Sequence, residues 1–267
     1  MNKTIMKIKN FTEKVLLSGA AILIFGCMQS CSKDSEPIPA QVVSSTLAGD
    51  GNILYANTIL SGANEVPAVT TTATGDAIGT FDKTTKILNL VVTYVDVIPT
   101  LWHIHKAATG TNGGVVFNLG TDFKTPFTYT SAALTAAQEA DLIGGLNYLN
   151  IHSLKSPSGE IRGQLAVAAT TATGSVIGSY NKESKILNVS VTYQGITPTM
   201  WHIHKGAAGT AGPVALNMGT TFTSPFNFIT AALTTAQEAD LLAGLYYVNI
   251  HSKKAPNGEI RGQLMVK

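Results

Sequence analysis

The sequence predicts an all-β protein made of two tandem Greek-key-like β-sandwich domains, each with one short helix. Three observations carry this expectation. All six histidines (His103, His105, His152, His202, His204, His251), both tryptophans (Trp102, Trp201) and both arginines (Arg162, Arg261) fall in a motif that recurs 99 residues later. The register holds without insertion from Thr72 against Thr171 to Leu165 against Leu264. A period of that length far exceeds the roughly 20–50 residues of solenoid or propeller units, so each copy is long enough to be a domain. Finally, short runs of alternating apolar and polar residues, punctuated by glycine and proline, have the period of half-buried strands.

The N-terminus stands apart from this pattern. Residues 1–26 begin with Lys3, Lys7, Lys9 and Lys14 and continue into the apolar run Val15–Phe25, the form of a secretory signal. The sequence Leu23-Ile-Phe-Gly-Cys27 resembles a bacterial lipobox, in which the cysteine thiol is lipidated. Cys31, within Ser30-Cys-Ser-Lys-Asp-Ser-Glu36, is the alternative site. The chain has only these two cysteines, so a disulfide framework through the body is excluded. The expectation is a protein secreted across the inner membrane and lipid-anchored at the bacterial outer membrane, tethered to it without spanning it. Loss of residues 1–26 would leave fourteen basic against fifteen acidic side chains, which argues against a nucleic-acid partner.

Residues 27–50, with Pro37 and Pro39 among small polar residues, read as a linker. Domain 1 is expected over 51–167. Its strands are predicted at Leu54–Leu60, Gly75–Phe81, Ile87–Asp96, Leu101–His105, Gly114–Leu119, Phe127–Ala132, Leu146–Ser153 and Glu160–Val167. Thr135 and Gln138, like Thr234 and Gln237, have the spacing of a capping box and predict a short helix, ended by Gly144 and Gly145 or by Gly244. Domain 2, over 168–267, repeats the series from Gly174. It lacks its own first segment, because the last strand of the first copy stands where that segment would be.

The chemistry concentrates on three strands. In Trp102-His-Ile-His-Lys106 and Trp201-His-Ile-His-Lys205, the histidines at i and i+2 share one face of a strand. His152 and His251 lie on a second strand beside Asn150 and Asn249. Glu160, Arg162 and Gln164 (Glu259 and Arg261 in the second copy) follow on a third. Three histidines per domain with a carboxylate nearby suit copper or zinc. The alternative is a structural polar network of Asn150, Glu160, Arg162, Asn249, Glu259 and Arg261 that pins strand register, with the arginine bonded to the glutamate or to a backbone carbonyl. The tryptophans read as core anchors, and the loops Gly110–Gly114 and Gly209–Pro213 as tight turns.

Leu60-Ser-Gly-Ala-Asn-Glu-Val-Pro67, His103-Ile-His105, Leu134-Thr-Ala-Ala-Gln138, Tyr148-Leu-Asn-Ile-His152 and Gly159-Glu-Ile-Arg-Gly-Gln-Leu165 together resemble the CHRD domain, named for chordin and also found in bacterial secreted proteins. The resemblance runs from about residue 54 to 267, and the second copy departs from it by lacking the Leu-Ser-Gly-Ala-Asn-Glu-Val-Pro segment. It implies a secreted β-sandwich module without an assigned ligand. The expected role is a surface-anchored binding or structural module; the alternative is a copper- or zinc-binding protein, with redox activity open. An extracellular protein or a glycan is the expected partner, the latter through exposed aromatics such as Tyr246. No nucleophile, base and orienting group recur together in both copies, so no catalytic residues are assigned.

Overall fold

A computed structural model of the chain describes residues 39–267; the signal segment and the candidate lipidation sites Cys27 and Cys31 lie outside the described residues. The chain begins with β1 (Gln41–Ala48) and β2 (Ile53–Ser61), then β3 (Thr74–Asp82), β4 (Ile87–Val95), β5 (Pro99–Lys106), β6 (Gly114–Asn118) and β7 (Phe127–Thr130). Helix α1 (Ala136–Ile143) precedes β8 (Asn147–Ser153) and β9 (Ile161–Ala168). The second copy supplies β10 (Thr173–Asn181), β11 (Ile186–Gln194), β12 (Pro198–Lys205), β13 (Val214–Asn217), β14 (Phe226–Ile229), α2 (Thr235–Leu242), β15 (Tyr246–Ser252), β16 (Ala255–Gln263) and β17 (Met265–Val266).

Each domain is a β-sandwich made by curling one antiparallel sheet over on itself. In the first domain the strand order is β6-β5-β8-β9-β2-β3-β4-β7. The half formed by β6, β5, β8 and β9 faces the half formed by β2, β3, β4 and β7. Alternation makes this possible: Leu88, Leu90 and Val92 on β4 point inward and are fully buried, as are Trp102 and Ile104 on β5 and Leu149 and Ile151 on β8. These residues meet in one core with Leu60, Phe81, Ile161 and Leu165. Trp102 packs at 4.5 Å on Phe127 and at 5.4 Å on Phe123, the core anchor expected of it. Both capping boxes form, Thr135 with Gln138 and Thr234 with Gln237, and Leu142 and Leu241 anchor the two helices.

The second domain corrects the reading of residues 27–50 as linker throughout. Its order is β13-β12-β15-β16-β1-β10-β11-β14, and β17 also pairs with β1. Gln41–Ala48 therefore lies in the centre of the second domain's sheet, paired along its whole length with β10. Leu47 opposes Gly174 there as Leu60 opposes Gly75 in the first domain. The missing first segment of the second copy comes from in front of the first copy. The physical reason is visible in the burial: Val43 and Leu47 are fully buried in the second core, filling places that no residue after 168 occupies. Among the described residues no helix is long and apolar enough to cross a membrane.

This threading makes a local prediction. Leu47→Ala should cost about 2 to 5 kcal/mol, the usual range for a buried leucine. Hydrogen exchange should place the loss of protection in β10–β17 rather than in β2–β9. Loss confined to the first domain would contradict the topology.

Candidate functional site

The site of each domain lies on the outer face of the β5–β8–β9 half-sheet. Inward residues of these strands are apolar, so alternation turns His103 and His105 outward on β5, and Tyr148, Asn150 and His152 outward on β8. Register then aligns them: His103 opposes Asn150, and His105 opposes Tyr148. On the far side of β8, Arg162 opposes Asn150 and Gln164 opposes Tyr148. An outer sheet face is ordinarily half wet, yet every residue of β8 is buried. The covering comes from the loop between β5 and β6 and from the segment following β2.

Backbone carbonyls orient two of the three histidines. Nδ1 of His105 lies 2.9 Å from the Gly113 carbonyl oxygen, and Nδ1 of His152 lies 2.9 Å from that of Pro157. A carbonyl only accepts, so in each ring Nδ1 carries the proton and Nε2 carries the lone pair. The Nε2 of His105 is buried and has no hydrogen-bond partner among the described residues. Nδ1 of His103 lies 3.4 Å from Nε2 of His152, and one ring nitrogen from each of the three histidines lies within 4.8 Å of the others. The second domain repeats this arrangement. His204 Nδ1 is 2.9 Å from Gly212 O, His251 Nδ1 is 2.8 Å from Pro256 O, His202 Nδ1 is 3.4 Å from His251 Nε2, and Nε2 of His204 is again without a partner.

The loop that holds His105 is itself fixed from several sides. The Gly113 N–H donates to the Tyr148 hydroxyl at 3.2 Å. A Cβ at Gly113 would stand 1.8 Å from the Lys106 carbonyl oxygen, so the loop returns this closely only with glycine there, and Gly212 meets the same constraint at 1.7 Å. Tyr148 stacks on His105 at 4.9 Å with 9° between planes, and the Arg162 guanidinium lies on the tyrosine ring, 3.7 Å from its centroid. Arg162, only 2% exposed, donates to Asn112 Oδ1 and Thr111 O at 3.1 Å each. Of the two partners considered for this arginine, it takes the backbone carbonyl.

Burial and mutual repulsion lower the basicity of four of the six histidines. Desolvation, then the neighbouring imidazoles His152 and His105, holds His103 below the ordinary histidine range. Desolvation acts first on His105 as well, and the Gly113 hydrogen bond opposes it. His202 and His251 are lowered for the same leading reason. In His103, His105, His202 and His251 the shift favours the neutral imidazole, the form that ligates a metal.

Not every expected residue joins the cluster. Glu160 accepts from Thr71 Oγ1 at 2.6 Å and from the Ser153 hydroxyl, and Glu259 accepts from Thr170 and Ser252 at 2.5 Å and from Lys254 at 2.8 Å. These glutamates tie the hairpin after β8 or β15 to the segment entering β3 or β10. Asn150 and Arg162 do stand beside the histidines, as do Asn249 and Arg261. Tyr246 is 1% exposed, which removes it as a glycan-stacking surface.

A carboxylate that the sequence did not single out does approach the first site. Glu65 is buried, and its Oε2 accepts from Asn150 Nδ2 at 3.4 Å. Burial pushes its carboxyl up to about 7, against the opposing influences of Arg162 and of the Asn150 hydrogen bond. Asn112 holds the Glu65 segment by donating to the Val66 carbonyl at 2.7 Å. The second domain has no equivalent, because after Gly49 the chain turns through Asp50–Asn52 straight into β2. The signal was available in the Asn64-Glu-Val66 segment, which occurs once.

These features define an all-β tandem module with one histidine triad on the outer sheet face of each domain. The chain belongs to the CHRD family: the sequence profile of the CHRD domain matches residues 56–165 and again residues 166–264. The second match begins after most of β9 and so does not include β1, the strand that completes that domain. No curated protein matches the chain.

Glu65 gives a pH test. A carboxyl raised from 4.5 to about 7 on folding keeps its proton in the folded state where the unfolded chain has already released it. Stability then falls as pH rises from about 4.5 to 7, and the cost is full above 7. The lowered histidines act oppositely, favouring the fold as pH rises toward 6.5. In metal-free protein, Glu65→Gln should thus gain about 1 to 3 kcal/mol relative to the wild type between pH 5 and pH 8. Denaturant melts at the two pH values measure it, and an unchanged difference would show that the carboxyl titrates normally.

Proposed function

We propose that this protein is a surface-anchored binding module in which each CHRD domain holds one zinc or copper ion through three histidines: His103, His105 and His152 in the first, His202, His204 and His251 in the second. The observation that carries the reading is the buried, unpartnered Nε2 of His105 and of His204, in rings whose Nδ1 is held by a carbonyl. An orphaned buried acceptor costs about 1 to 3 kcal/mol. Histidine ligands to metals characteristically donate their other ring N–H to a carbonyl or carboxylate, which sets the tautomer and strengthens the lone pair. The 3.4 Å separation between His103 Nδ1 and His152 Nε2 also suits a shared ion. It is about the edge of a tetrahedron with metal–nitrogen bonds of roughly 2.0–2.1 Å.

An all-nitrogen donor set favours zinc or copper over the hard, oxygen-seeking cations. Three protein ligands leave a coordination position for water or a partner's side chain, and His103 and His202 are the partly exposed members of each triad. With copper, this arrangement would also admit redox chemistry. The anchor completes the proposal: a lipid on Cys27, or alternatively Cys31, would hold the domains at the bacterial outer membrane, where an extracellular protein or glycan would be the partner. Palmitate labelling retained in Cys31→Ala and lost in Cys27→Ala would support the first cysteine, and no labelling of the wild type would remove the anchor.

Metal content tests the triads. The chain, purified without a metal-binding tag and supplied with zinc or copper, should hold one ion per triad. His105→Ala and His204→Ala should each lose one ion, and the double variant both. Wild-type protein that binds neither metal, or variants that retain both ions, would make the histidines structural.

A further inference from the structure

The two domains share a histidine triad, but the surroundings of their arginines differ. In the first domain the stack of Tyr148 and Arg162 is closed over by the segment after β2, which brings the Glu65 carboxylate to Asn150 and into the field of Arg162. In the second domain the corresponding segment is absent, and Ala211 stands where Asn112 bonds Arg162. Arg261 still lies on its tyrosine, 3.7 Å from the Tyr247 centroid, but among the described residues the only hydrogen bond of its guanidinium is to the Thr210 carbonyl at 2.9 Å, and no carboxylate pairs with it. The neighbouring Lys254 is committed to Glu259.

The space thus left is a cleft of ≈ 530 Å³ between the domains. That volume lies within the roughly 300–1,000 Å³ of small-molecule sites. One wall is Tyr247, Asn249 and Arg261 of the second domain; the other is the outer face of the first domain's sheet, with Tyr55, Ile78 and Val91. The Tyr55 hydroxyl donates to the Glu259 carbonyl at 3.2 Å, which ties the two walls together.

We propose that this cleft binds a small organic acid, its carboxylate on Arg261 and its apolar body against Ile78 and Val91; Asn249, whose Nδ2 donates to the Asn257 carbonyl at 3.3 Å, lines the wall beside it. The first domain carries its own occupant; the second is built for one supplied from outside. A guanidinium already held by a tyrosine face and a carbonyl gives up little freedom on binding, and bonds a carboxylate more strongly than a neutral amide. The proposal does not depend on the histidines binding metal.

The test uses the full metal-free chain and a matched pair of probes, 3-phenylpropanoate and 3-phenylpropanamide, titrated by calorimetry. The acid should bind once per chain, and the amide more weakly by roughly tenfold or more. Arg261→Gln should reduce the acid to the level of the amide. Ala211→Glu, which sets a carboxylate beside Arg261, should abolish acid binding while the circular dichroism and melting of the protein are retained. Equal binding of acid and amide, binding of neither, or wild-type binding by a folded Ala211→Glu protein would overturn the proposal.

Discussion

The hydrogen bond from an imidazole Nδ1 to a backbone carbonyl is the interaction on which the site depends. It decides which nitrogen of His105 and His152 is free and where that nitrogen points. The carbonyl of Gly113 can be there only because β5 turns back on itself within a few residues, and that return requires glycine. Tyr148 then holds the Gly113 N–H, and Arg162, lying on Tyr148, holds Thr111 and Asn112 of the same loop. The outward residues of β8 and β9 thus serve to keep one loop against one histidine. Buried polar networks of this kind are costly when incomplete, and in both domains a histidine Nε2 is left unsatisfied.

Repetition and difference between the domains carry separate information. The triads, their carbonyl partners, the stacked tyrosine and arginine and the glutamate that ties the β8 hairpin are all duplicated, so they follow from the fold of the domain. Glu65 and Asn112 are not duplicated, and around them the sites diverge: one arginine is sealed, the other opens on a cleft. The threading of β1 explains the divergence. Because the first strand of the second domain arrives from the N-terminal side, the chain must leave it at once for β2, and no residues remain to form a covering segment. The same threading means that the second domain cannot complete its sheet without residues that precede the first.

Much of this was legible in the sequence because strand periodicity and the repeat reinforce each other. Alternation around Trp102-His-Ile-His and Tyr148-Leu-Asn-Ile-His is enough by itself to place the histidines on one face, and the capping boxes mark both helices. What escaped was non-local. Gln41–Ala48 has only Val42, Val43 and Leu47 as strongly apolar markers and follows two prolines, so its local pattern resembles a linker; only the empty place in a distant sheet makes it a strand. Glu160 alternates with Arg162 as if to share its face, yet Ser153 and Thr71 capture its carboxylate. The carbonyls of Gly113 and Pro157 leave no trace in residue identity, since every residue has one. Glu65 was visible as a letter, but its burial comes from the loop that packs over it.

The central claim is that each domain presents a preset Nε2 lone pair from His105 or His204 to a metal ion. Long-range nitrogen–proton NMR of the imidazoles, recorded while zinc is added to metal-free protein, tests it most directly. The account predicts the Nδ1–H tautomer for His105, His152, His204 and His251 before zinc is added, and Nε2 shifts that saturate at one zinc per triad with the tautomer unchanged. An Nε2–H tautomer in the metal-free protein, or imidazole signals indifferent to zinc, would contradict it.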